Sequence, residues 1–449
     1  MALATGEIDL IDKHAALLAE SRWEDDRLLA YFQGRQRIEQ LGMAIPQAMR
    51  KFLVIANWPR ALVEVIASRQ QVRELSWAGQ DAADPLLAQI LDCSNFVAHF
   101  EMFNLDRLIY GRAFLSVGAN PHGGLPLIRA ESPRELSASI DPVTEQITDA
   151  ARIYGTGNDG HPAGAVLYLP THTIWARKNR GRWVETRRDV HNFGAVPIVM
   201  HLNRRTSGSW QGVSEMNDII PLADACVRSL TNMQFAQEAH GAPHRWIVGL
   251  AADERTDQHG KPVTLLEAYF DAITILSDAD AKIGQLPAAS LDNFETAMQT
   301  YGKQASVVTG LPGAYWGITT ANPATEGAVA SSEWRMNRNI ERQNDQLAVS
   351  LGWMAALAYR FATGQHVEGS QIKAMFHDPA TPTISQREDA LGKRRAAGVL
   401  SREGYWDELG WTQARKDKER HYLALEAAEG IDEYLALGAG HGDSPAPSP

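Results

Sequence analysis

A chain of 449 residues with 44% hydrophobic content is long enough for about two to four domains with sizeable cores, and too apolar to be disordered. A formal net charge of −11 argues against a protein that grips nucleic acid over its whole surface by neutralising phosphates. Two cysteines, Cys93 and Cys226, make no disulfide framework, no window reaches the ~18 apolar residues of a membrane-spanning helix, and the N-terminus lacks the pattern of a secretory leader.

The first segment reads as a helix: Ile8, Ile11, Ala15, Leu18, Leu28 and Leu29 alternate with charges, and Tyr31-Phe32-Gln33-Gly34 closes it with a glycine stop. A second helix starts at Asn57-Trp58-Pro59, with asparagine as cap and proline in the first turn. Asp84-Pro85 opens a third in the same way, carrying Leu87, Ile90, Cys93, Phe100, Phe103 and Leu108 to a stop near Gly111. Short runs then read as strands: Ala113 to Val117, Gln146 to Tyr154, Ala165 to Leu169, His172 to Arg177, Trp183 to Arg187 and Val196 to Leu202, with a hairpin turn at Asn179-Arg180-Gly181-Arg182. Helix returns after Ser214, where Ile219, Leu222, Ala223, Cys226, Leu230 and Met233 form one stripe to His240-Gly241. A mixed region follows, with a strand from Arg245 and a polar loop from Ala252 to Lys261, and then a helix from Asp292 to Val308.

The most informative stretch begins at Gly310. A loop rich in glycine and aromatics, Gly310-Leu311-Pro312-Gly313-Ala314-Tyr315-Trp316-Gly317, leads to Asn322-Pro323-Ala324-Thr325 and a helical pattern from Thr325 to Ala362, ~57 Å long. Ile340, Leu347, Leu351, Met354, Ala358 and Phe361 make one apolar stripe, Asn344 occupies an apolar place in it, and Gly352 marks a site for a bend. The remainder is small helices with Ser385-Gln386-Arg387-Glu388 as a capping box, Ser401 and Thr412 as caps, and a Gly/Ser/Pro-rich end. The fold class is α+β, mainly α.

Chemistry is sparse. No phosphate-binding Walker loop, zinc-protease pair, nucleophile elbow or paired-cysteine spacing occurs. Gly155-Thr156-Gly157-Asn158-Asp159-Gly160 fits a dinucleotide fingerprint literally, but a strand follows where a helix is required, so it reads as a hairpin turn. Asp253, Glu254, Asp257 and His259, like Asp278 and Asp280, read as solvated loops and not metal ligands; no metal, cofactor or catalytic residue is expected. Basic residues concentrate on the hairpin and on the C-terminal helices, making Arg180, Arg182, Lys393 and Arg394 candidates for phosphate contact. Tyr315 and Trp316, aromatics in a glycine-rich loop, are candidates for a functional surface, with packing beneath the next helix as the competing reading.

In element order and local motifs, the chain from about Ile8 to Gly430 resembles the portal (head–tail connector) proteins of long-tailed double-stranded DNA bacteriophages. Tyr31-Phe32-Gln33-Gly34, Gly111 to Val117, Asn322-Pro323-Ala324-Thr325-Glu326-Gly327-Ala328 and Ser385 to Gly410 carry the resemblance, with Thr325 where that family has serine and Gly327 in the first turn. The resemblance implies a wing (1–212), a stem helix (213–241), a clip (242–291), a second stem helix (292–309), a tunnel loop (310–322), a long kinked helix returning to the wing (323–382), a crown (383–430) and a disordered tail (431–449). It implies a ring of copies, a dodecamer, at one capsid vertex of the virion, assembled in the host cytoplasm, away from membranes, with double-stranded DNA passing through for packaging and ejection. Implied partners are the terminase large subunit, the major capsid or scaffolding protein and a head–tail adaptor. Leu311, Ala314, Tyr315, Trp316 and Thr319 would line the channel, and Arg245, Asp253, Glu254 and Asp257 would meet motor or neck. Deleting Gly313 to Gly317 would then leave assembly intact. The alternatives are another virion head or scaffold protein, or a hydrolase using Glu254 or Asp278.

Overall fold

The computed structural model describes residues 3–36, 54–80, 84–156, 162–241, 245–248, 282–285, 292–318, 326–380 and 384–439. It comprises two units, Met1–Pro379 and Ala380–Pro449.

In the first unit, helix α1 (Thr5–Gln33) ends at Gly34, whose φ of 68° is the left-handed conformation that lets the last carbonyls find donors. Helix α2 (Trp58–Ser68) is capped by Asn57, whose side chain accepts from the Arg60 amide. The single helix expected from Asp84 to Gly111 is two, α3 (Pro85–Cys93) and α4 (Phe96–Tyr110). Asn95 sits between them at φ 48°, a conformation asparagine tolerates, while the Ser94 hydroxyl bonds back to the Ile90 carbonyl and accepts from the Ile128 amide.

Strands β1 (Val72–Trp77), β2 (Arg112–Gly118), β3 (Leu127–Glu131), β4 (Leu136–Ile140), β5 (Ile147–Thr156), β6 (Pro162–Tyr168), β7 (His172–Asn179), β8 (Arg182–Val190) and β9 (Ile198–Leu202) follow. They form a five-stranded sheet in the order β4-β5-β6-β7-β8 and a three-stranded sheet in the order β3-β2-β9, all antiparallel. The glycine-rich match at Gly155 joins β5 to β6, with Thr156 opposite Pro162, so it is a hairpin connection as expected. At the β7–β8 turn Arg180 and Gly181 both have positive φ, 48° and 81°, the two-residue geometry that matches strand twist. Helix α1 covers one face of the large sheet through Ile11, against Ala151, Ile153, Leu167, Ile174 and Trp183. Beneath it the buried His14 ring bonds Asp149 at 2.8 Å and Ser137 at 2.7 Å.

Helix α5 (Ile220–Gly241), strands β10 (Arg245–Val248) and β11 (Lys282–Gln285), and helix α6 (Asp292–Thr309) come next; β10 and β11 pair antiparallel. Cys226 of α5 meets Met298 of α6 at 3.5 Å, so the two helices pack side by side. Helix α7 (Glu326–Thr363) runs for 38 residues without interruption, and β12 (Ile372–Phe376) then pairs with β1. The expected stripe is the buried face: Ile340, Leu347, Leu351, Met354 and Ala358 are essentially inaccessible. Gly352 has a reason other than a bend. A methyl group there would sit 2.5 Å from the Gly369 carbonyl oxygen and 2.6 Å from that of Ile372, so glycine is what lets the returning chain lie on the helix.

Polar residues also enter this core. Arg107 of α4 is fully buried, and its guanidinium donates to Gln70 (2.6 Å), Asn104 (2.9 Å), Asn203 (2.7 Å) and Gln343 (3.2 Å). Gln70 in turn donates to Asn344 at 3.0 Å, which explains the polar residue in the stripe. Burial lowers the Arg107 pKa to about 10, and burial, with the Arg107 charge adding to it, pushes His201 down to about 3.

The second unit holds α8 (Ile384–Ala396), α9 (Arg402–Glu408) and α10 (Gln413–Ala439). Ser401 and Thr412 cap as expected, each accepting an amide three residues on. Helix α8 already includes Ile384, so it begins ahead of the expected capping box, and α10 continues through 431–439, so that part of the expected tail is helical. Trp406 and Trp411 stack at 5.6 Å in this unit's core.

Arg107→Leu strands several buried amide oxygens and should cost at least about 3 kcal/mol, read as a lowered denaturant midpoint. His201 has a depressed folded pKa, so its contribution is present above the unfolded value of about 6.5 and is lost as pH falls toward about 3. His201→Asn should therefore lose less stability than the parent when equilibrium unfolding is compared at pH 7 and pH 4.

Candidate functional site

The expected functional loop is a tight turn fixed at three points. Helix α6 ends where the Thr309 hydroxyl bonds the Ala305 carbonyl at 2.7 Å and accepts from the Leu311 amide at 3.3 Å. Gly310 follows at φ 76°, donating to the Ser306 carbonyl. Residues Gly313–Trp316 then form one 3₁₀ turn, closed by the Tyr315 amide on the Pro312 carbonyl and the Ile318 amide on the Gly313 carbonyl.

The side chains of this turn divide sharply. Leu311 and Trp316 are only 3% and 5% exposed and lie in a core formed with Leu62, Val63, Ile66, Ala305, Met336 and Ile340. Trp316 meets Trp58 edge-to-face at 5.4 Å. These two residues are therefore anchors of the turn, buried within the subunit. The sequence could not separate them from their neighbours, because a turn of four residues has no periodicity that marks an inner side. Ala314 and Tyr315 are exposed, and Thr319 lies outside the described residues. The burial of Trp316 also changes what deleting 313–317 tests, since that removes part of the core along with the exposed surface.

Tyr315 is held by charges from two other elements. Its hydroxyl accepts from Arg69 at 2.9 Å and donates to Glu333 of α7 at 3.1 Å, while Arg69 and Glu333 pair directly at 3.1 Å. Arg69 also donates to the Pro379 carbonyl at 3.0 Å. Partial burial raises the Tyr315 pKa, Arg69 opposes it, and the phenol stays protonated. Arg69 and Glu333 were not singled out by sequence, and only the fold brings them together. Next to this turn is a cleft of about 440 Å³, lined by the apolar Leu62, Ile66, Leu311 and Met336 and by Arg204, Arg205, Arg335 and Arg342.

Arg180 and Arg182 are exposed on the β7–β8 hairpin. Lys393 is exposed and paired with Asp389 at 2.7 Å, and Arg394 is exposed beside it. Arg245 opens β10 opposite Gln285, whereas Asp253, Glu254, Asp257 and Asp278 lie outside the described residues. Among the described residues no group of three or more histidine, cysteine or acidic side chains is arranged to hold a metal ion.

Residues 18–433 match the phage portal protein family of the SPP1 Gp6-like kind. The chain belongs to that family. It is 31% identical over 416 residues to the portal protein of Mycobacterium phage D29, covering 90% of this chain and 85% of the relative. Its identity to the portal protein of Mycobacterium phage L5 is also 31%, over 417 residues and the same shares. Among solved structures it is similar to a chain in the neck of an empty GTA particle (TM-score 0.48, 16% identity, 86% of this chain and 98% of that one). A chain in the virion of a native gene transfer agent gives 0.45 at 16% identity, over 86% and 98%.

Trp316→Ala should destabilise the first unit by about 3–5 kcal/mol, as for other buried aromatics. Tyr315→Phe removes one hydroxyl while leaving the Arg69–Glu333 pair, and should cost no more than about 1.5 kcal/mol. Chemical denaturation of both variants measures the contrast.

Proposed function

We propose that this chain is a subunit of a portal ring, set at one vertex of a phage capsid, whose open axis passes double-stranded DNA during packaging and ejection. The observation that carries this reading is membership of the portal family across nearly the full chain, joined to 31% identity with two phage portal proteins. Large apolar side chains left in water support self-association. Trp334 is 66% exposed and Val349 63% on α7, and Val307 60% on α6, surfaces that a neighbouring copy would cover.

In this reading α5 and α6 are the stem pair, and the segment between them is the clip that meets the packaging motor and later a head–tail adaptor. Residues 383–430 form the crown. The turn at 310–318 faces the hole with Ala314 and Tyr315, while Leu311 and Trp316 tie it to the subunit. A net charge of −11 suits a conduit: DNA that must slide is best met by a wall that releases few counterions. A dodecamer and contacts to the terminase large subunit and to the capsid or scaffolding protein belong to the same proposal. No catalytic step is assigned to the chain, because the motor's chemistry is left to its partner.

Electron microscopy of the purified full-length protein tests the ring. Particles with a central hole are expected, and a monomer at every concentration would remove the proposal's foundation. Tyr315→Ala leaves the Trp316 anchor in place, so rings should form normally while the yield of DNA-filled heads falls; an unchanged yield would take Tyr315 off the channel wall.

A further inference from the structure

The outer face of the β7–β8 hairpin carries a second, independent feature. Strand β8 has a bulge: Trp175 pairs with Arg187 and Ala176 with Glu185, leaving Thr186 as the extra residue, its hydroxyl on the Trp175 carbonyl at 3.1 Å. Simple alternation would put Arg187 on the side covered by α1, and Arg188 outside. The bulge reverses both. Arg188 turns inward to Glu7 of α1 at 2.9 Å, and Arg187 turns outward, 4.7 Å from the centre of the Trp175 ring.

Arg187 therefore joins Arg177 and Arg182, which alternation already places on the Trp175 side of the hairpin (Arg177 opposite Val184, Arg182 opposite Asn179). Among the described residues none of these three arginines has a carboxylate within ion-pair distance. Such a concentration is unusual in a chain of net charge −11. The same sheet face continues across β6 to Tyr154, 36% exposed, where Arg152 lies 5.4 Å from the ring centre but is already paired with Glu131 at 2.9 Å and Glu135 at 2.8 Å, so it is not counted among the free cations. Gly164 leaves room for Tyr154, because a methyl group there would lie 2.7 Å from the Tyr154 ring. On this face the Arg187 guanidinium is laid on the Trp175 ring, with Arg177 and Arg182 exposed beside it.

A stacked guanidinium has already lost much of its freedom, yet its N–H edges remain available for bidentate bonds to oxyanions. An exposed sheet face with cations in series suits an extended polymer better than a small enclosed ligand. We propose that Arg177, Arg182 and Arg187, set on the outer sheet face by the Thr186 bulge, bind the phosphodiester backbone of nucleic acid without regard to sequence. These arginines are on other elements than the Tyr315 turn, so the site stands or falls apart from the ring.

The test uses full-length protein and a closed circular DNA duplex, which cannot thread a preformed ring, with affinity measured across salt concentration. Each phosphate contact contributes about −0.9 to the slope of log affinity against log salt, so the Arg177→Gln/Arg182→Gln/Arg187→Gln variant should flatten it by about 2.7. Arg177→Lys/Arg182→Lys/Arg187→Lys keeps the charge and should retain most of the slope. Ring formation by the glutamine variant, seen by microscopy, shows that only the surface has changed. The proposal is overturned by an unchanged slope in the glutamine variant, by absence of binding in the parent, or by poly-glutamate competing as well as DNA of equal charge, which would mark an acidic protein surface as the partner.

Discussion

A positive charge with no access to water holds the larger unit in register. Removing a guanidinium from solvent is costly, and only dense hydrogen bonding offsets that cost. Arg107 finds its acceptors on Gln70, Asn104, Asn203 and Gln343, which lie up to 236 residues from it in the chain. The compensating carboxylate is one step away, since Asn203 also donates to Glu215 at 2.9 Å. A shift of α7 by one residue against α4 would move Gln343 and Asn344 out of reach, so the network specifies one alignment where apolar packing alone tolerates several.

That alignment reaches the turn before α7 through two adjacent residues. Gln70 points into the network, and its neighbour Arg69 meets Tyr315 and Glu333. The polar core and the exposed tyrosine are thus held by the same short stretch after α2. The turn combines this with apolar anchors, Trp316 against Trp58 and Leu311 in the same core. In a portal ring, such a turn would present Ala314 and Tyr315 to the DNA from a fixed base.

The five-stranded sheet shows how one extra residue redistributes charge. Arg187 and Arg188 are adjacent and chemically identical, yet one secures α1 through Glu7 and the other lies on the outer face with Trp175. No composition rule separates them. The pairing of β8 with β7 does.

The sequence by itself determined the elements whose signals are local: the Gly34 stop, the Asn57 cap, the hairpin turn at Arg180-Gly181, the Ser401 and Thr412 caps, and the full length and buried stripe of α7. Each depends on a few neighbouring residues and on backbone conformations that only some side chains tolerate. Only the tertiary structure decided that β1 exists, since its partner β12 lies some 300 residues downstream, and that the helix begun at Asp84 breaks at Asn95. It alone decided that Leu311 and Trp316 are buried beside an exposed Tyr315, and that Gly352 serves a close approach of chains. Burial and hydrogen-bond partnership are properties of what packs against a residue, and here those partners come from distant segments.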